Sequence, residues 1–157
     1  MTIDNANQGI YLHTSGAILA RHGRVTGYLT ILGSRDPSHI VTIEDNVDRY
    51  RSAAGAHWQW QRDKGLHSAQ GPAKRLDTSG IGDESWGFTE FGPTGGGTAG
   101  VYFRRGKYWA RVYLLTFSPV SVTDILRLAR TMDSRIQHAG ARGSAALLLG
   151  QPHGLSP

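Results

Sequence analysis

Polar and apolar residues alternate in several short stretches of the chain, and in two places the spacing changes to a helical one. From 24 to 32, Val25, Leu29 and Ile31 alternate with Thr26, Tyr28 and Thr30, which predicts a strand. Residues 40–50 open β-branched and alternating and predict a second strand; 73–76 and 85–91 predict two more, joined by the turn Asp77-Thr78-Ser79-Gly80-Ile81-Gly82-Asp83. Residues 14–22 predict a short helix closed by a left-handed Gly23.

The clearest hairpin is 101–114, with Arg105-Gly106 as a two-residue loop, so that Arg104 pairs with Lys107. That register sends Val101, Phe103, Tyr108, Ala110, Val112 and Leu114 to one face, the core. It sends Tyr102, Arg104, Lys107, Trp109, Arg111 and Tyr113 to the other, where rings lie beside cations.

Ser52 offers an N-cap for a helix over 53–64 that ends near Gly65, with Ala53, Ala56 and Trp60 on one face and Trp58 turned away from it. Ser121 caps the strongest helix, with Asp124 in capping-box position and Val120 and Ile125 as a hydrophobic staple. Val122, Ile125, Leu128, Ala129, Met132 and Ile136 form its apolar arc. Asp133 sits at the edge of that arc, where an unpaired carboxylate is costly, so it is expected to bond a basic group or backbone amides.

These elements predict an α+β domain, a mainly antiparallel sheet packed against two main helices, over residues 10–138. The remainder, 139–157, is a Gly/Ala/Leu-rich C-terminal tail whose Leu147, Leu148 and Leu149 are hard to leave in water and are expected to dock on this or another subunit.

Composition narrows the chemistry. The 157 residues carry 17 Lys+Arg against 12 Asp+Glu, a formal charge of +5, which is too dispersed to point to nucleic acid as the main partner. Without cysteine there is no thiolate catalysis, Cys-ligated zinc, iron–sulfur cluster or disulfide framework. No apolar run is long enough to span a bilayer, and the first residues lack the basic and apolar regions of a secretory signal.

The candidate motifs fail on their own terms. Gly95, Gly97 and Gly100 spell G-x-G-x-x-G, but ahead of a strand, whereas dinucleotide binding needs it to open a helix. Ser85 lacks the glycine two positions before it that a nucleophile elbow requires. The seven histidines include no pair at helical metal-binding spacing, so neither a metal nor a cofactor is expected. Asp83 is expected to accept backbone amides of its own Gly80-Ile81-Gly82 turn.

Five segments carry a resemblance: Gly23-Arg24-Val25-Thr26-Gly27-Tyr28, Tyr50-Arg51-Ser52-Ala53-Ala54-Gly55-Ala56, Gly80-Ile81-Gly82-Asp83-Glu84-Ser85, Phe103-Arg104-Arg105-Gly106-Lys107, and Leu128-Ala129-Arg130 followed by Asp133 and Arg135. Over residues 20–138 the chain resembles uncharacterised bacterial exported or lipoprotein sensor-like domains. The resemblance implies an antiparallel sheet with helices, similar to the photosystem-P-protein or Mog1 layout, and an exported or cell-surface setting. It carries over no catalytic residue, and the chain departs from those domains in lacking a leader and lipobox cysteine.

The expected function is therefore a non-catalytic binding, sensor-like or assembly module. Its ligand face is Tyr102, Arg104, Trp109, Arg111 and Tyr113, suited to a small molecule or anionic polymer. Trp58 and Leu147, Leu148 and Leu149 are expected to contact a protein partner or a second copy. The alternative is a small cofactor-independent enzyme using His57 or Asp133 with Glu84 as acid and base.

Overall fold

The computed structural model describes residues 2–3, 16–34, 41–68, 73–91, 96–117 and 120–142. In chain order the elements are β1 (Thr2–Ile3), α1 (Gly16–Arg21), β2 (Arg24–Gly33), β3 (Val41–Tyr50), α2 (Ala53–Ser68), β4 (Lys74–Leu76), β5 (Glu84–Phe91), β6 (Gly97–Arg105), β7 (Tyr108–Thr116) and α3 (Val122–Arg142). The described strands form one antiparallel sheet in the order β1-β2-β3-β7-β6-β5-β4. The architecture is α+β, as the periodicities predict.

Two meanders meet at its centre, where β3 pairs with β7. The chain leaves the end of β3, crosses one face of the sheet as α2 and re-enters at the far edge as β4. Helix α3 covers the opposite face of β6 and β7.

Local signals set the helix starts. Ser52 Oγ accepts the Gly55 amide at 3.3 Å and Ser121 Oγ accepts the Asp124 amide at 3.2 Å, while Val120 and Ile125 are both buried in the α3-side core. Gly23 closes α1 at φ +84°, its amide bonded to the Ala20 carbonyl at 2.9 Å. Helix ends ran longer than expected: α2 passes through Gly65 to Ser68, and α3 passes Gly140 to Arg142, because neither glycine adopts the left-handed conformation that stops a helix. Helix α3 therefore extends four residues past His138.

The hairpin loop is Gly106-Lys107 rather than Arg105-Gly106, so Arg105 stands opposite Tyr108 and Arg104 opposite Trp109. Arg105 belongs to the strand because its guanidinium is held on the α3 side by Asp133. Moving a two-residue loop by one position moves each cross-strand partner by two, so every residue that remains in the ladder keeps its expected face, while Lys107 passes into the loop. Val101, Phe103, Tyr108, Ala110, Val112 and Leu114 are all buried against α3.

The second face is corrected. Tyr102 and Trp109 are each 1% exposed, packed with Tyr50, Ala56, Trp60, Trp86 and Phe88 beneath α2 and α1. A crossover helix seals the rings that the alternation alone places on an open surface.

Candidate binding site

Three polar assemblies surround that sealed core, and each is set by one strand-pair register. The first is an ionic clasp at the β6–β7 turn. Arg104, on the α2 side, donates to Glu84 through Nε and to Asp83 at 3.0 Å through Nη1; His57 Nδ1 on α2 lies 2.8 Å from the same Glu84 oxygen. Arg105, on the α3 side, donates to Asp133 at 2.8 and 2.6 Å and to Asp83 at 3.0 Å. Asp133 also accepts the Gly82 amide at 3.0 Å and Gln137 Nε2 at 3.2 Å. Two adjacent arginines thus tie α2 to one face and α3 to the other.

Asp133 makes the bonds expected of it. Burial pushes its carboxyl up, but the Arg105 and Gly82 hydrogen bonds outweigh this and hold it below the usual carboxylate range. Burial likewise pushes Glu84 up, and the bonds to His57 and Arg104 hold it below its usual value. Asp83 accepts the Gly106 amide at 2.8 Å, not an amide of its own turn: it closes the neighbouring hairpin instead.

The second assembly is a polar seam under α2. Gln59 and Asp63, one helical turn apart, face the sheet with Ala56 and Trp60. Gln59 Nε2 donates to Asp63 at 2.9 Å, and Tyr50 Oη donates to Gln59 at 3.3 Å. Asn46 and Asp48 lie on the strand below, Asp48 paired with Arg24 at 3.0 Å. Burial pushes Asp63 up to about 7, against the Gln59 bond and the charges of Arg62 and Arg111.

A raised native pKa means the folded state binds the proton more tightly. The stability Asp63 allows is therefore complete at pH below the unfolded value near 4 and is lost as pH rises through 7. Asp63→Asn is expected to raise the unfolding free energy by about 2 kcal/mol more at pH 8 than at pH 5, read from urea melts at both values. An equal change at both would show that Asp63 is ionised in the fold throughout.

The third assembly is the end of the α2 side where the helix no longer covers the strands. Tyr113 is half-buried there, its ring 6.4 Å from Phe88 and 5.7 Å from the Arg111 guanidinium. Arg111 Nη2 donates to Glu44 at 2.7 Å across the β3–β7 pair, and Arg111 Nε is buried without a partner. Burial raises the Tyr113 hydroxyl; a hydrogen bond with Thr98 and the charge of Arg111 oppose this, while Glu44 and Glu90 add to it. Alongside lies a depression of about 350 Å³ lined by Glu90, Gly96, Gly97, Thr98, Leu115, Thr116 and Phe117. Leu115 and Phe117 in its lining are exposed.

The expected face is therefore divided. Tyr102 and Trp109 are core, Arg104 belongs to the clasp, and Arg111 and Tyr113 alone border open space. Trp58 is half-buried between the His22 ring, stacked at 3.5 Å and 5°, and the Arg62 guanidinium at 6.0 Å. Of the alternative acid–base groups, His57 and Glu84 meet, while Asp133 lies across the sheet on Arg105. Leu147, Leu148 and Leu149 lie outside the described residues.

No protein-family model matches the sequence, and no curated protein matches it. The crystal structure of the extracellular domain of PknH from Mycobacterium tuberculosis is similar in fold, with a TM-score of 0.55 at 10% identity, covering 85% of this chain and 77% of that one. The likeness is one of fold. Among the described residues no helix is long and apolar enough to cross a membrane.

Sequence reasoning missed Gln59, Asp63, Asn46, Glu44 and Glu90. One signal was available: α2 places Gln59 and Asp63 beside Trp60 on its only apolar face, so whatever that helix covers must supply polar partners.

Proposed function

We propose that the chain is a non-catalytic, sensor-like binding module whose ligand contacts are Arg111 and Tyr113 with Glu44, Glu90 and Thr98, at the uncovered end of the α2 side. The observation that carries this is Tyr113: a half-buried ring bracketed by a guanidinium and two carboxylates beside an apolar-rimmed depression, on strands fixed by both helices. Such a floor offers stacking, one donor fork and acceptors without a nucleophile, which suits holding a small molecule or side chain that presents an apolar or aromatic group flanked by polar atoms. The likeness to an extracellular domain supports a sensing rather than a metabolic role. Arg104 contributes by rigidity, through the clasp.

Amide chemical-shift mapping with a mixture of small aromatic acids and amines tests it. Shifts are expected to concentrate at Thr98, Arg111, Tyr113, Leu115 and Phe117 and to vanish in Tyr113→Ala, whose fold is checked by circular dichroism. Shifts confined to other surfaces would overturn the assignment.

One contact favours a second reading, the small enzyme: His57 is 45% exposed and 2.8 Å from Glu84, the spacing of a base and its orienting carboxylate. Against it, the same Glu84 oxygen also accepts Arg104 and so serves the clasp. Turnover of an ester or amide panel that is lost in His57→Ala would favour the enzyme.

A further inference from the structure

The opposite end of the molecule, where α1, the β3–α2 junction and the β6–β7 turn converge, has a different chemistry. Backbone bonds bring it together: the Arg51 amide donates to the Gly23 carbonyl at 2.8 Å, and the Tyr50 amide donates to the Lys107 carbonyl at 2.8 Å. The Arg51 side chain extends over Gly23, with its Cβ, Cγ and Cδ 3.6 to 3.9 Å from where a Cβ would stand. Arg21, two residues before Gly23, ends α1, and Arg49 stands opposite Tyr108 beside the turn.

Arg21, Arg51 and Lys107 are exposed and Arg49 is half-buried. The carboxylates of this end are already engaged, Asp48 by Arg24, Asp83 and Glu84 by Arg104, and Asp133 by Arg105. Among the described residues none of the four cations has a carboxylate partner, and Arg49 Nε is buried without any. Two apolar side chains stand among them. Ile18 is 37% exposed one helical turn before Arg21 and His22, and Val25 is 48% exposed in the bulge between Arg24 and Thr26.

We propose that this pole, formed by Ile18, Arg21, Val25, Arg49, Arg51 and Lys107, docks on an anionic lipid surface. Cations without partners attract any polyanion; the combination here selects among them. Turns and a helix end project these side chains outward, and the depression of about 450 Å³ beside the β6–β7 turn takes in only Lys107 of the six, which fits a flat charged plane better than an extended acidic peptide. Exposed aliphatic side chains between cations gain by entering the headgroup–acyl boundary, whereas a phosphodiester backbone offers them nothing. The nearest indole, Trp58, is not open to a base, lying between the His22 ring and the Arg62 guanidinium. The surface is separate from the Tyr113 site, at the other end of the strands, so a docked molecule keeps that site in solvent.

Co-sedimentation of the full chain with vesicles decides it. The chain is expected to pellet with phosphatidylcholine vesicles containing phosphatidylglycerol and not with phosphatidylcholine alone, and the binding is expected to weaken with salt. Arg51→Glu with Lys107→Glu is expected to weaken binding by roughly tenfold or more. Ile18→Ser with Val25→Ser is expected to weaken it by about threefold. Lys74→Glu with Arg130→Glu, the same charge change on exposed residues elsewhere, is expected to stay within about twofold. Absence of vesicle binding overturns the proposal, as does equal loss in the two charge-reversed pairs. Binding of heparin or a DNA duplex, sensitive to Arg51→Glu with Lys107→Glu while the vesicles stay unbound, assigns the pole to a polyelectrolyte and also overturns it.

Discussion

Asp133→Ala is expected to destabilise the fold by roughly 3 kcal/mol, measured by urea unfolding at neutral pH. Asp133 is 3% exposed and receives Arg105 through two bonds, the Gly82 amide and Gln137. Removing it leaves the partly buried guanidinium and a backbone donor without their acceptor, a cost moderated by the solvent that still reaches Arg105. The carboxyl's lowered pKa gives the sign with pH: its contribution is present above the unfolded value and is lost as pH falls through the native one. The difference between wild type and Asp133→Ala should therefore shrink on acidification. A difference that persists unchanged at low pH would mean the side chain acts by packing alone.

Gly55→Ala is expected to cost about 3 kcal/mol, because a Cβ there would stand 2.2 Å from the His22 carbonyl oxygen and 2.9 Å from the Tyr50 ring. Neither neighbour can yield easily: the carbonyl belongs to the turn that closes α1, and Tyr50 is wholly buried. Relief requires α2 to lift from the sheet, loosening the cover over Tyr102 and Trp109, which near-ultraviolet circular dichroism would register. Gly65, in the same helix, has no heavy atom within 4 Å of a built Cβ, so Gly65→Ala is expected to be neutral or stabilising by up to about 1 kcal/mol. Equal effects from the two would show that helix propensity, not the close approach, governs both.

Gly55 and Asp133 show what two of the turn-centred sequence segments do in the fold. Gly55 in the second segment admits the His22 carbonyl, and the Asp83, Arg104, Arg105, Gly106 and Asp133 of the later segments are the clasp. Their spacing is fixed by architecture rather than by ligand chemistry, which is why these segments do not disclose a substrate. Elements were legible because alternation and capping are local: Ser52, Gly23, Ser121 and the hairpin faces need only their neighbours. The face parity survived a misplaced loop for the same reason.

What was not legible depends on the path of the chain. Nothing near Tyr102 or Trp109 says that residues 53–68 return across them, so rings that alternate toward one side of a hairpin read as a surface. Glu44 reaches Arg111, and Glu84 reaches His57, only through the β3–β7 pairing and the crossover. Polar residues on α2 were the available hint, and they mark an interface between helix and sheet that is held by hydrogen bonds as much as by apolar contact.

The central β3–β7 ladder has a consequence for biosynthesis. Val41 finds its partner in Thr116, so the middle of the sheet cannot be completed until nearly the whole domain has left the ribosome. Until then the nascent β2–β3 hairpin holds the inner edge of β3 unpaired, Asn46 and Asp48 included, and the floor under α2 lacks Trp109. Folding of this chain is therefore a late, C-terminally triggered event, and a translational stall before residue 108 would hold an open strand edge in the cell.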